Sequence, residues 1–512
     1  MTSTVRRFLA GVVVAGSLLP SWALAQALPN LAVARVRYNT AKTNAKAEGE
    51  LKAQIDAVDR EISEATRLGR TGEVRRLLAK GTTLVGGRPW TPDEDFRQSL
   101  VLRAERVFAD AARPFTVRLE QIYAPSIELA APLAAAVSLR PLLAQPSGSP
   151  ETTRLANFSE VPRDLRESPF VMDLDVSGAP DGPHELAVDV MDGPRAMGRV
   201  TLRVAVQRDL DRRVASLDAA AEAAPEAVRA DIRYPLDFMR KVNRGLVEMG
   251  GFDLGRELAA AETIGAASAG GRDPFAGRTG DFERHYVLDG PGEIMPYRVW
   301  VPTTYRAGTP TALVIALHGL GANEDSFFDS YQGLAPKLAE QHGFLLAAPL
   351  GFRVDGFYGS QLMASGDPAA VRRAELSEQD VLEVVTRMRA QYSVDAGRIY
   401  LIGHSMGAIG TWVLGAKHPD LWAALGLFSG FGAPATVARM KHIPQIVVHG
   451  DNDATVNVNG SRAMVAEMKK NAMDVTYIEV PGGNHLNVVV PNLPRVFDFL
   501  ATRRRTAVAT QQ

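Results

Sequence analysis

From Asp281 onward the chain alternates short apolar runs with amphipathic stretches. This rhythm constrains the fold more than any other feature. The runs are residues 313–317, 344–348, 399–402, 424–428, 446–449 and 475–480. Short continuous apolar runs suit strands covered on both faces. Their alternation with helical stretches predicts an α/β architecture, a mostly parallel sheet with helices on both sides. Residues 295–301 read as an earlier strand of the same sheet. The stretch 378–392 reads as a helix opened by Ser377, with Asp380 three residues later completing a capping box.

The strand at 399–402 runs directly into Gly403-His404-Ser405-Met406-Gly407, and a helical segment follows at 408–417. G-x-S-x-G in a strand–turn–helix context puts the serine on a tight elbow, where flanking glycines avoid clashes. A serine hydroxyl needs a base to take its proton, and the base needs an orienting acid. On such an elbow the acid precedes the histidine along the chain. Four histidines follow Ser405: His418, His442, His449 and His485. His418 lies about 20 Å away along the elbow helix, and His442 and His449 fall before or on the strand that should carry the acid. His485, in a loop after the last strand, is the expected base. His449-Gly450-Asp451-Asn452-Asp453 offers two acids. Asp453 is the stronger candidate, because the turn begun at Gly450 carries it toward the histidine loop. Asp451 is expected to brace the turn through its own backbone amides. Two backbone amides must receive the oxyanion. Met406, after the serine, supplies one; Leu320, in the glycine strip His318-Gly319-Leu320-Gly321, is expected to supply the other.

The rest of the chain reads differently. Residues 1–25 have the pattern of a secretory signal: Arg6 and Arg7, an apolar stretch over 8–19, Pro20, and a small-x-small site at Ala23-Leu24-Ala25. Twelve apolar residues fall short of the roughly 20 needed to cross a bilayer. Leu51, Ile55, Val58 and Ile62 form one helical stripe, and with 74–78 suggest a helical hairpin. Period-two alternation at 186–191 and 199–206, with turn-rich segments between, predicts half-buried antiparallel strands and a small immunoglobulin-like β-sandwich. Helical pattern returns over 209–261, and five glycines between Gly265 and Gly280 mark a boundary. The expected domains are a signal peptide over 1–25, a helical and β-sandwich region over 26–265, and an α/β domain over 281–505.

Composition removes alternatives. With no cysteine among 512 residues there are no disulfides, thiolate metal sites or cysteine nucleophile. A net charge of −1 provides no basic field for nucleic acid. Metal-ligand spacings and phosphate-binding loops are missing from the sequence, so no cofactor and no metal is expected.

Residues from about 282 to 503 resemble α/β-hydrolase-fold serine esterases, in the exported branch related to polyhydroxybutyrate depolymerases, feruloyl-type esterases and prolyl-oligopeptidase-like peptidases. The resemblance rests on Leu317-His-Gly-Leu-Gly-Ala-Asn323, Arg398-Ile-Tyr-Leu-Ile-Gly-His-Ser-Met-Gly407, Gly410-Thr-Trp412, His449-Gly-Asp-Asn-Asp-Ala-Thr-Val456 and Gly483-Asn-His485. It implies Ser405 as nucleophile, Asp453 as acid and His485 as base. Ala408 departs from the second glycine that many relatives carry. The implied function is an exported, periplasmic or secreted, hydrolase of small or polymeric carboxylic esters, without a stable membrane anchor. A peptidase, or a polymer-binding protein with a vestigial hydrolase domain, is the alternative.

Overall fold

Three helices open the part of the chain that the computed structural model describes, which comprises residues 31–127, 129, 132–142, 151–361 and 367–505. The signal expected at 1–25 lies outside these residues. The helices are α1 (Leu31–Ala45), α2 (Gly49–Arg67) and α3 (Thr71–Val85), one more than the expected hairpin. Ile55, Val58 and Ile62 of the α2 stripe are buried. Val58 and Ile62 share a core with Tyr38 of α1 and Val74, Leu77 and Leu78 of α3. Gly81 makes room for the Tyr38 ring, since a Cβ there would come within 2.5 Å of it. Helix α4 (Pro92–Ser99) is capped by the Thr91 side chain, which accepts from the Glu94 amide.

Eight strands follow: β1 (Leu100–Ala104), β2 (Phe108–Asp110), β3 (Phe115–Gln121), β4 (Leu133–Pro141), β5 (Thr153–Val161), β6 (Phe170–Leu174), β7 (Gly182–Asp192) and β8 (Arg195–Gln207). They form two sheets, β1-β3-β6 and β2-β8-β7-β4-β5. The alternating segments fall in β7 and β8, whose antiparallel ladder opposes Leu186 to Leu202 and Val188 to Val200. Helices α5 (Leu210–Ala223), α6 (Glu226–Asn243) and α7 (Leu254–Ala269) come next. Gly265 sits inside α7, facing Ala220, so the boundary begins later than the glycine spacing suggests.

The second half of the chain builds one eight-stranded sheet from β9 (Gly280–Leu288), β10 (Glu293–Val301), β11 (Thr311–Leu317), β12 (Leu345–Pro349), β13 (Val394–His404), β14 (Ala424–Phe428), β15 (Gln445–Gly450) and β16 (Val475–Val480). Their order is β9-β10-β12-β11-β13-β14-β15-β16. Strand β10 is antiparallel to both neighbours, and the remaining neighbours pair in parallel. Between and after the strands lie α8 (Ser326–Asp329), α9 (Leu334–His342), α10 (Pro368–Gln391), α11 (Met406–Lys417), α12 (Asn459–Lys470) and α13 (Val489–Ala501). Both faces of the sheet are covered. Leu313, Ile315 and Leu317 join a cluster with Val381, Val384 and Met388 of α10 and Trp412 of α11. Ala312, Val314 and Ala316 join Leu338 of α9 and Leu493, Val496 and Phe497 of α13. The first cluster continues without a break into the two N-terminal sheets and α5–α7.

The capping box at Ser377 is not formed. Helix α10 begins ten residues earlier, at Pro368, capped by Asp367. Ser377 and Asp380 are buried mid-helix instead: the Ser377 hydroxyl accepts the Tyr358 amide, and the Asp380 carboxylate accepts the Phe352 amide and the Tyr286 hydroxyl. A polar pair that caps helices elsewhere here ties a helix to the loop after β12.

Candidate active site

Ser405 stands alone between β13 and α11, with φ +57° and ψ −118°. Positive φ in a non-glycine residue stores strain, here opposed by the Ser405 amide bonding Phe428 O of β14 at 2.9 Å. The flanking glycines are steric necessities. A Cβ at Gly403 would lie 2.2 Å from Gly407 O, and one at Gly407 would lie 2.0 Å from Leu317 O. The Ala408 methyl is accommodated because position 430 is glycine, where a Cβ would approach it to 2.5 Å.

Ser405 Oγ lies 2.9 Å from His485 Nε2, and His485 Nδ1 lies 2.7 Å from Asp453 Oδ2. Three residues from the ends of β13, β15 and β16 are therefore hydrogen-bonded in series. The other Asp453 oxygen accepts the Thr455 and Val456 amides at 2.8 and 2.9 Å. Burial pushes the Asp453 carboxyl up, but the bonds from His449, His485 and the Val456 amide outweigh it and hold it well below the usual carboxylate range. Asp451 takes a different place: its Oδ1 accepts the Gly482 amide at 2.7 Å, joining the acid turn to the histidine loop rather than bracing its own turn. Gly450 permits that junction, since a Cβ there would lie 2.1 Å from Gly483 O.

The strip after β11 passes beside the serine, with a hypothetical Gly319 Cβ 3.4 Å from Ser405 Cβ. The Gly321 amide is committed to Val354 O and the Ala322 amide to Gly319 O. The Leu320 amide bonds no backbone carbonyl among the described residues. The Met406 amide belongs to the first turn of α11, where amides have no intrahelical acceptor. The remaining histidines lie elsewhere: His418 bonds Glu378 at 2.8 Å, and His442 bonds Pro419 O. Trp412 is a packing residue whose indole donates to Gln445.

Four residues that the sequence did not single out as site residues meet this series. His404 Nε2 donates to His485 O at 2.9 Å, which leaves Nδ1 to accept from the Tyr331 hydroxyl at 3.0 Å. The Ser429 hydroxyl donates to the same His485 carbonyl at 3.1 Å. His449 Nε2 faces two acceptors, Asp453 Oδ2 at 3.2 Å and Val456 O at 3.0 Å, so it is a donor to Asp453. Only the spacing of His449 four residues before Asp453 signalled any of this.

Burial, with the nearby His485, holds the His404 imidazole down to about 4. A histidine depressed in the fold stabilises it above the unfolded value near 6.5, and that contribution fades as pH falls toward 4. The contribution amounts to about 3 kcal/mol at full extent. We expect urea-unfolding midpoints to fall between pH 6.5 and 4, and the fall to flatten clearly in His404→Gln. Equal slopes in both proteins would show that His404 does not carry it.

The sheet, its elbow and the side chains gathered there define an α/β-hydrolase fold. Comparison with known proteins agrees: residues 290–507 match the family model described as a putative esterase. Feruloyl esterase B of Talaromyces funiculosus is 27% identical over 146 residues, 28% of this chain and 38% of the relative. A probable acetylxylan esterase A of Aspergillus flavus is 28% identical over 146 residues, 28% of this chain and 44% of the relative. The chain thus spans less than half the length of these curated relatives. Among solved structures, a ferulic acid esterase from Anaeromyces mucronatus aligns with 44% of this chain and 90% of its own, at 20% identity and TM-score 0.36. A thermostable esterase aligns with 76% of this chain and 95% of its own, at 16% identity and TM-score 0.39.

Proposed function

We propose that this protein hydrolyses carboxylic esters through an acyl-enzyme. The observation that carries the reading is the unbroken series Ser405–His485–Asp453, at 2.9 and 2.7 Å. His485 Nε2 takes the proton as Ser405 Oγ attacks the ester carbonyl. Asp453 holds the imidazole in the tautomer with hydrogen on Nδ1 and stabilises the imidazolium. The Leu320 and Met406 amides receive the oxyanion. The imidazolium then protonates the leaving alkoxide, and water activated by His485 releases the acid. No cofactor takes part.

The names of the relatives, feruloyl esterase and acetylxylan esterase, point to feruloyl or acetyl esters as the substrate class. An apolar side chain at the site suits an acyl group: Leu486, beside the proposed base, is 62% exposed. Export through a leader at 1–25 and an immunoglobulin-like fold for the β region within 26–265 belong to the same reading. No described helix is long and apolar enough to cross a membrane. The test is turnover of p-nitrophenyl acetate and methyl ferulate beside a prolyl anilide. We expect the better ester to exceed the anilide by about 100-fold or more in kcat/KM. A preference for the anilide would overturn the ester assignment in favour of a peptidase.

A further inference from the structure

The strip that carries the Leu320 amide is clamped from outside the sheet. His318 Nε2 bonds Leu350 O at 2.6 Å, and the Gly321 amide donates to Val354 O at 2.8 Å. Both carbonyls belong to the loop over residues 350–356, which is itself held by α10, through Asp380 and through Arg373 paired with Asp355 at 3.5 Å, and by β10, through Pro296 O and Glu293. The Phe352 amide donates to buried Asp380 of α10 at 2.8 Å. Arg353 donates from Nη2 to Glu293 Oε1 at 2.8 Å and from Nη1 to Phe352 O at 2.8 Å, with its guanidinium 4.0 Å from the Phe352 ring centre.

Glu293 opens β10 and meets a second cation there. Lys241 Nζ, from α6 in the N-terminal half, lies 3.9 Å from Glu293 Oε2. It donates to Ile294 O at 2.7 Å and pairs with Asp237 Oδ2 at 3.0 Å. Asp237 also accepts the Ile294 amide at 3.2 Å. Lys241 is 5% exposed, and burial pushes its ammonium down. A buried ion pair is a poor way to gain stability, because well-packed apolar residues in place of both partners often do as well; a hydrogen-bonded one does fix geometry. The chain of contacts runs from α6 through Glu293 and Arg353 to Val354, and ends on Gly321, the residue after the proposed oxyanion donor.

We propose that Lys241 and Arg353 are positioning residues, through which the helical layer of the N-terminal half holds the Leu320 strip in register with Ser405. This assigns α6 a part in the reaction, and it rests on the esterase reading above. Such a role gives a reason for the buried cation that α6 inserts at the start of β10.

Two readouts test it in the full-length chain: ester kinetics, and hydrogen exchange of the peptide spanning 318–325 followed by mass spectrometry. Arg353→Ala and Lys241→Met should each lower kcat by about 10- to 100-fold with KM within about twofold, since the lost alignment matters most in the transition state. Arg353→Lys, which keeps a cation able to reach Glu293, should recover most of the loss. Exchange in 318–325 should quicken several-fold in the two disruptive variants, with peptides of α13 unchanged as the control for folding. Wild-type exchange in 318–325 overturns the proposal, whether or not kcat falls. Quickened exchange with wild-type kcat overturns it too, because the coupling would then not reach the reaction. Quickened exchange in a protein without ester turnover would remove the esterase reading and keep the mechanical coupling, so the two failures are distinguishable.

Discussion

Replacing Ser405 with alanine is expected to lower ester turnover by about 10⁴-fold or more, to the residual level that oxyanion binding alone sustains. The loss should fall on kcat, because the hydroxyl is needed for the covalent step and little for binding substrate. Folding should survive. The positive φ of Ser405 is imposed by the junction of β13 with α11 and by the Ser405 amide bond to Phe428 O, neither of which involves the hydroxyl. Ester turnover and the thermal midpoint, measured on the same preparation, check both halves. Substantial turnover in a folded alanine variant would place the nucleophile elsewhere.

The second large effect separates the two aspartates of the acid turn. Asp453→Asn should cost about 10³- to 10⁴-fold in kcat, because an amide cannot orient the imidazole as a carboxylate does. The site makes the loss steeper. One Asp453 oxygen faces both His485 Nδ1 and His449 Nε2, and the other accepts two backbone amides. Whichever way an asparagine amide turns, its NH₂ group meets donors. Asp451→Asn should cost less than about tenfold, since the bond that its carboxylate accepts from the Gly482 amide can be accepted by an asparagine carbonyl equally well. Kinetics of the two variants side by side decide it. Comparable losses would mean that the turn as a whole, rather than Asp453, carries the effect.

How much of this was legible in the sequence depends on how locally each feature is determined. The elbow was legible because its steric demands act within five residues: Gly403 and Gly407 leave no room for a Cβ. The pairing of His485 with Asp453 followed from strand order and chain order together. The bonds that hold His485 did not. His404, Ser429 and Tyr331 come from three separate segments, and their convergence depends on β14 lying beside β13 and on the helical turn at Tyr331 folding back. Strand β9 escaped notice because charged residues interrupt its apolar pattern, and two of them, Arg284 and His285, are turned to Asp231 of α6. Ser377 and Asp380 misled for a related reason: the spacing of a capping box is also that of two residues on one helix face, and tertiary partners claimed both. The N-terminal stripe was read correctly as packing, yet the number of helices sharing it was not, because a stripe records a buried face and not its partners.

In the proposed reaction His485 makes Ser405 a nucleophile. The most direct measurement is labelling of the full-length protein with a fluorophosphonate, located by mass spectrometry of the peptides. We expect a single phosphonyl adduct on Ser405, formed at near-neutral pH and suppressed by about 10³-fold or more in His485→Ala. An unlabelled Ser405, or labelling that proceeds as fast without the His485 imidazole, would contradict it.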